Sequence, residues 1–272
     1  MIDPLDSLRR LLMDEETEAM IDRLPAVTGE FSRDPWGFDK TKTKYLFAFF
    51  KKLYDDYFRV QTMGLENVPT SGRVLLVANH SGQLPMDGVL IAMAMSTNKD
   101  GPRAVRAMVE RFFPTVPFVG NMLNHLGAVV GDPHNCTRML ENEEAIVVFP
   151  EGVRGSGKPF RERYQLKRFG HGFMHLAMTH HTPIVPIGVV GCEETMPSLT
   201  NISPLAKALG LPYFPLAFPL PLPARVILNF GKPILFEDDV HREEEIAERV
   251  DKVKSAIRGL IEEGLAARES IY

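Results

Sequence analysis

The sequence predicts an α/β fold in which a mostly parallel or mixed central sheet is flanked by helices, preceded by an N-terminal helical segment. Three observations predict it. Short apolar runs alternate with helical patterns along most of the 272 residues. The chain is 44% hydrophobic, enough for one substantial core with a small helical appendage. Its last segment carries Ile246, Val250, Val253, Ile257, Leu260 and Leu265 at helical steps with charges between them, the pattern of an amphipathic helix laid on a domain.

In chain order, residues 1–57 read as helical, with a sparse apolar stripe of Leu8, Leu11, Leu12 and Ile21 suited to packing on protein. Residues 58–272 read as the α/β domain. Arg59 to Met63 and Arg73 to Ala78 are strands joined across the turn-rich Glu66 to Gly72. Asp87 caps a helix over Gly88 to Met95. Apolar runs at Val105 to Val109, Ala128 to Val130, Ala145 to Phe149, Ile184 to Val190 and Val226 to Phe230 supply further strands. Helical patterns at Pro117 to Leu126, Asn135 to Asn142 and Leu166 to His180 lie between them.

Several function classes are excluded early. A net charge of -4 argues against a bulk nucleic-acid binder. Cys136 and Cys192 have no paired or metal-ligand spacing, which fits a reducing compartment and excludes a disulfide scaffold. The first residues, Met1 to Asp6, lack the basic start and apolar stretch of a signal peptide, so the cytoplasmic side is expected.

Four segments carry chemistry. In Val74-Leu-Leu-Val-Ala-Asn-His-Ser-Gly-Gln-Leu-Pro-Met-Asp87, an imidazole follows a buried strand and a carboxylate comes seven positions later. That is a way to hold a general base near neutral pH, with the acid fixing the tautomer of His80. Ala145 to Arg154 is an apolar strand that delivers Glu151, Gly152 and Arg154 to a loop at its carboxyl end, where open α/β sheets bind ligands. That loop carries Arg154, Lys158, Arg161, Arg163, Lys167 and Arg168 against only Glu151 and Glu162, which suggests an anionic partner. Thr182-Pro-Ile-Val-Pro-Ile-Gly-Val-Val-Gly191 is a buried strand whose prolines mark its entry.

Asn79-His80 with Asp87, Phe149 to Arg154 and Thr182 to Pro186 stand in the order and spacing of the glycerolipid acyltransferases. The chain resembles the lysophospholipid acyltransferase superfamily, PlsC-like, over roughly Phe58 to Leu235. The resemblance implies transfer of a fatty acyl group from acyl-CoA or acyl carrier protein to a lipid hydroxyl at a membrane surface, with a glycerolipid-acyltransferase-like fold. It implies His80 as base and Asp87 as orienting acid. It also implies Glu151 as the group that positions the acceptor, Arg154 as a ligand for acidic groups, and amides near Ser81 and Gly82 as oxyanion donors. A thioester is already activated, so no covalent intermediate, metal or resident cofactor is expected.

Two departures shape the substrate reading. The usual motif places four residues between histidine and aspartate, whereas six intervene here, and Pro85 precedes Asp87 by two positions. That looks more like the branch related to mono- and diacylglycerol acyltransferases. Where phosphate-acceptor enzymes carry an arginine, Gly127-Ala-Val-Val-Gly-Asp-Pro133 offers Asp132 or Pro133. An acid there repels a phosphomonoester, so the acceptor is expected to be neutral or zwitterionic, or its phosphate to fall to Arg154 and the basic loop.

Competing readings are weaker. Gly152 to Lys158 satisfies most of a phosphate-binding loop pattern, but Pro159 stands where the magnesium-binding hydroxyl belongs. His171-Gly-Phe-Met-His175 has zincin spacing without the glutamate. A non-catalytic lipid-binding or remodelling module on the same fold is the rival class, separated by release of free thiol from an acyl thioester. For membrane contact, Lys40 to Arg59 interleaves seven aromatics with lysines, suited to an anionic interface. The uncharged, proline-broken Ala208 to Ala224 is an alternative lipid-facing loop. Neither it nor Phe112 to Gly131 can span, so a peripheral, monotopic association with the cytoplasmic face is expected.

Overall fold

In the computed structural model, residues 13–24, 36, 40–110, 127–208, 210–218, 220–237 and 242–272 are described. The expected helix at Pro117 to Leu126 and the leucines of the first stripe lie outside them. The chain enters through α1 (Glu15–Arg23) and α2 (Lys40–Lys52), the latter continued by a π-helical turn over Leu53–Tyr57. Asp14 caps α1 by accepting from the Thr17 amide at 2.8 Å. Then follow β1 (Gln61–Met63), β2 (Val74–Ala78), α3 (Met86–Thr97), β3 (Val105–Val109) and β4 (Val129–Val130). Next come α4 (Pro133–Glu141), β5 (Ala145–Val148), α5 (Val153–Ser156), α6 (Gly172–Thr179), β6 (Ile184–Val190) and α7 (Cys192–Thr195). The last elements are β7 (Ser198–Asn201), α8 (Ser203–Ala208), β8 (Pro215–Ala217), β9 (Ile227–Phe230) and α9 (Glu243–Ala267).

Among the described residues, seven strands form one mixed sheet in the order β1-β9-β6-β2-β5-β3-β4. The pairs from β6 to β4 are parallel, β9 runs antiparallel to β6, and β1 is parallel to β9. The sheet is covered on both faces, and β2 shows why its run is continuously apolar. Val74, Leu76 and Ala78 join one core with α1, α2 and α3, while Leu75 and Val77 join a second with α4, α6 and α9. α9 buries Ile246, Val250, Val253, Ile257 and Ile261 on the second face. It packs so close to β6 that a β-carbon on Gly188 would stand 2.7 Å from the Ile261 nitrogen. There only glycine fits without a shift.

Three expectations change. The helix expected over Leu166 to His180 is confined to Gly172–Thr179, because the residues before it form an irregular basic loop whose Lys167 and Gly170 amides donate to Glu151 and the Pro150 carbonyl. The supposed irregular segment after Gly152 contains the short helix α5, and the proline-rich stretch contains β8, which pairs with β7 just upstream of it as a two-stranded ribbon. The aromatics of α2 and the turn after it are largely turned inward: Phe47, Phe50, Tyr54 and Phe58 are buried in the first core, leaving Phe49 and Tyr57 exposed. Burial against the domain thus consumes most of the surface that suggested an interfacial helix.

Candidate active site

Register builds the site. β2 and β5 are parallel neighbours with Val77 level with Val148, so His80 and Glu151, each three residues further on, meet above the carboxyl edge of the sheet. On the other side Ala78 is level with Ile187 of β6. Beyond that pair the Asn79 side chain takes over from the backbone ladder, accepting from the Val189 amide at 2.7 Å and donating to its carbonyl at 3.0 Å. The chain then turns at Gly82 (φ 89°), where a β-carbon would lie 2.8 Å from the Cys192 carbonyl oxygen. Leu84 is thrown outward and is 43% exposed. This outward loop absorbs the two extra residues between histidine and aspartate.

The loop brings Asp87 back to His80. Asp87 does not cap α3, as its sequence position suggested; Pro85 holds that place, and Asp87 sits in the first turn with its side chain fully buried. Its Oδ2 accepts from His80 Nδ1 at 2.7 Å and from the Ser81 amide at 2.8 Å, and Oδ1 from the Gly88 amide at 2.8 Å. The imidazole stacks on Phe149 at 4.5 Å between centroids. Burial disfavours the imidazolium, but the attraction and hydrogen bond of Asp87, joined by the Glu151 charge, outweigh it and raise the His80 pKa above its ordinary value. With Nδ1 committed to Asp87, Nε2 is the nitrogen left to exchange a proton.

His80 borders a cavity of about 710 Å³. Its walls are mostly apolar, including Phe47, Phe50, Val89, Met93, Met108 and Phe149. The charged side chains among its described lining residues are Glu110 and Asp132, and no lysine or arginine is present there. Asp132 also caps α4, accepting from the His134 amide at 3.0 Å. Gly152 (φ 54°) lies in the same wall, where a β-carbon would come within 3.0 Å of Glu110 Oε1.

The other sequence-derived residues are distributed differently. Glu151 is 1% exposed and is not among the residues that line the cavity. Its Oε1 accepts from the His80 amide at 3.0 Å and its Oε2 from the Lys167 amide at 2.6 Å. Lys158 is buried too, paired with Glu193 at 2.9 Å and 3.8 Å from Glu151. The basic loop is therefore no single anion cradle, since Lys167 pairs with Glu162 and Arg163 lies over the Phe160 ring. Arg154 faces solvent and donates to the Arg168 carbonyl at 3.3 Å, although α5 itself presses on the site through Gly155. The Ser81 amide is spent on Asp87, leaving the Gly82 amide of that pair.

A supporting network escaped sequence reasoning. Glu193 accepts from the Tyr164 amide at 2.6 Å, while Glu194 is bonded to the Tyr164 hydroxyl and to Arg268 at 3.2 Å. Two consecutive acids beside a cysteine carry no motif; their burial against Lys158 and Arg268 is visible only in three dimensions.

Comparison with known proteins decides the family. The family model described as Acyltransferase matches residues 59–190. A Mycobacterium leprae protein of uncharacterised function is 35% identical over 261 residues, covering 90% of this chain and 71% of that one. The chain belongs to the PlsC-like glycerolipid acyltransferase superfamily. The human "DGAT1/2-independent enzyme synthesizing storage lipids" is 26% identical over 204 residues, 73% of this chain and 60% of that protein. The crystal structure of the 1-acyl-sn-glycerophosphate acyltransferase PlsC from Thermotoga maritima superposes with a TM-score of 0.56 at 21% identity, covering 85% of each chain. The acyltransferase fold is shared, and His80 lies within the span that the family model matches.

Proposed function

We propose that this acyltransferase moves a fatty acyl group from a thioester of coenzyme A or acyl carrier protein to the hydroxyl of a glycerolipid, with His80 as general base. The observation that carries the reading is the His80 to Asp87 bond of 2.7 Å at the edge of an apolar cavity of about 710 Å³. Nε2 takes the acceptor's hydroxyl proton as its oxygen attacks the thioester carbonyl carbon. The tetrahedral oxyanion collapses, the C–S bond breaks, and the proton passes from the imidazolium to the departing thiolate. Asp87 fixes the tautomer and stabilises the imidazolium, as a buried carboxylate does in hydrolase triads. Glu151 holds the His80 backbone, and the Gly82 amide is the candidate oxyanion donor.

The acceptor is a neutral or zwitterionic glycerolipid rather than a phosphomonoester. Glu110 and Asp132 are the charged groups among the described lining residues, and a doubly negative phosphate beside them would be repelled. The human relative's name, an enzyme synthesizing storage lipids, supports the neutral end of that range. Such substrates live in membranes, so the enzyme works peripherally at a bilayer surface; no helix among the described residues is long and apolar enough to cross one.

The test is thiol release from acyl-CoA with a panel of acceptors: mono- and diacylglycerol, lysophosphatidylcholine and lysophosphatidic acid. Acceptor-dependent release that vanishes in His80→Ala while the fold persists is expected. Undiminished turnover in that variant removes the base, and preference for lysophosphatidic acid overturns the acceptor reading.

A further inference from the structure

Residues 196–224 contain one charged side chain, Lys207, in a chain that is 24% charged. This stretch forms β7, α8 and β8, and it displays Leu199 (72% exposed), Leu205, Leu216, Phe218 (56%) and Leu220 (67%) to solvent. Leu199 and Leu216 stand near one another across the ribbon, next to the Ser198 and Ala217 pair. A soluble surface seldom gathers so many large apolar groups in one excursion.

The excursion is built onto the site. Tyr213 donates to the Gln83 carbonyl at 3.1 Å, Asn201 to the Gly157 carbonyl at 2.7 Å, and Tyr57 to the Pro221 carbonyl at 2.7 Å. Gln83 adjoins Leu84, the exposed tip of the loop between His80 and Asp87. β7 also contacts the turn Phe160–Glu162, from which exposed Arg161 and Arg163 extend. We propose that this excursion is the surface by which the enzyme docks on an anionic phospholipid bilayer, its leucines and Phe218 entering the acyl boundary while Lys207, Arg161 and Arg163 meet headgroup phosphates.

Lipid suits this surface for two physical reasons. Pro212, Pro215, Pro221 and Pro223 have no N–H, so fewer unpaired donors enter the apolar layer. The absence of acids from residues 196–224, beside a rim where Arg161 and Arg163 outnumber Glu162, which lies 3.5 Å from Arg161, complements anionic headgroups. α2 is the weaker anchor, because Phe47, Phe50 and Tyr54 are already inside the core. The inference rests on the lipid-acyltransferase reading but locates a surface that the reading does not.

The experiment is cosedimentation with vesicles of phosphatidylglycerol and of phosphatidylcholine, alongside acyl transfer to a short-chain acceptor in detergent micelles. For the triple variant L216D/F218D/L220D, partitioning onto phosphatidylglycerol vesicles should fall by roughly a hundredfold, given the loss of three buried apolar side chains. Arg161→Glu with Arg163→Glu should cost about tenfold, an effect that salt erases in the wild type. Micellar turnover should stay unchanged in both, and L235D, an exposed apolar control elsewhere, should bind normally. Loss of binding in F49D with retention in the triple variant would overturn the proposal in favour of α2, as would equal binding to both vesicle types in favour of a charge-independent contact. Wild-type protein that transfers acyl groups but ignores vesicles also defeats it while leaving the enzymatic reading intact; vesicle binding without turnover does the reverse.

Discussion

At the residue scale, the identity of each acid's partner decides its role. Asp87 and Glu151 are both buried carboxylates touching His80, one at the ring and one at the backbone amide. Because Asp87 is the chief group raising the histidine's pKa against burial, Asp87→Asn should move the acid limb of the kcat/KM profile to lower pH, since the base then survives deprotonated in more acid solution. Turnover should drop by about 10²- to 10⁴-fold through loss of tautomer control. A limb that stays put refutes the coupling. The stability sign is opposite: a histidine whose folded pKa is raised contributes stability that is fully present below its unfolded pKa of about 6.5 and is lost as pH climbs through the folded value. Urea titrations should show that wild-type slope and lose it in Asp87→Asn. Glu151→Gln separates positioning from acceptor contact. One amide donor would face an NH2 group, at a cost of about 1–3 kcal/mol, with kcat lowered and acceptor KM unchanged. A raised KM with full stability would restore the role implied by resemblance. His80 was legible from sequence because imidazole chemistry is specific; the inward turn of Glu151 was not, because partners of a carboxylate across 71 residues leave no local mark.

At the element scale, strands were the readable part. β2, β5 and β6 are covered on both faces, so their apolar runs are continuous and their ends nearly unambiguous. β7 and β8 escaped notice since prolines interrupt any alternation, and residues 166–170 imitate a helix in sequence, whereas the Lys167 amide donates to Glu151 and the Gly170 amide to the Pro150 carbonyl, which leaves them irregular. Glycines reveal which element contacts are tight. In α5 a β-carbon on Gly155 would sit 2.7 Å from the Glu151 Cβ and 2.8 Å from the His80 Cβ. Gly155→Ala should therefore push His80 off its mark, reducing kcat at least tenfold, where a misplacement on the order of 1 Å has such effects. Gly259 in α9 is the contrast, with nothing within 4 Å of an added β-carbon. Gly259→Ala should stabilise the protein by about 0.5–1 kcal/mol in urea unfolding without altering turnover. Loss of stability there would mean that α9 packs more tightly than its open flank indicates.

At the scale of the whole molecule, the end of the chain reaches back to brace the loop beside the site. Just past α9, Arg268 is 3.2 Å from Glu194 and 3.4 Å from the Tyr164 hydroxyl, whose backbone amide is held by Glu193, the partner of Lys158. Burial and the neighbouring Glu194 charge raise the Tyr164 pKa, so the phenol stays protonated and donates to that carboxylate. Arg268→Ala strands Glu194, whose side chain is 2% exposed, without its cation. Breaking one partner of so enclosed a pair costs about 3 kcal/mol, whereas neutralising both costs far less. Denaturant unfolding should thus show a large loss for Arg268→Ala and substantial recovery in Arg268→Met with Glu194→Gln, a coupling that only contacting residues display. Turnover should track stability across the series, because the pair acts on the scaffold and touches neither His80 nor the cavity. A single variant costing under about 1 kcal/mol would place the pair with solvent-screened surface bridges and leave the loop braced from elsewhere.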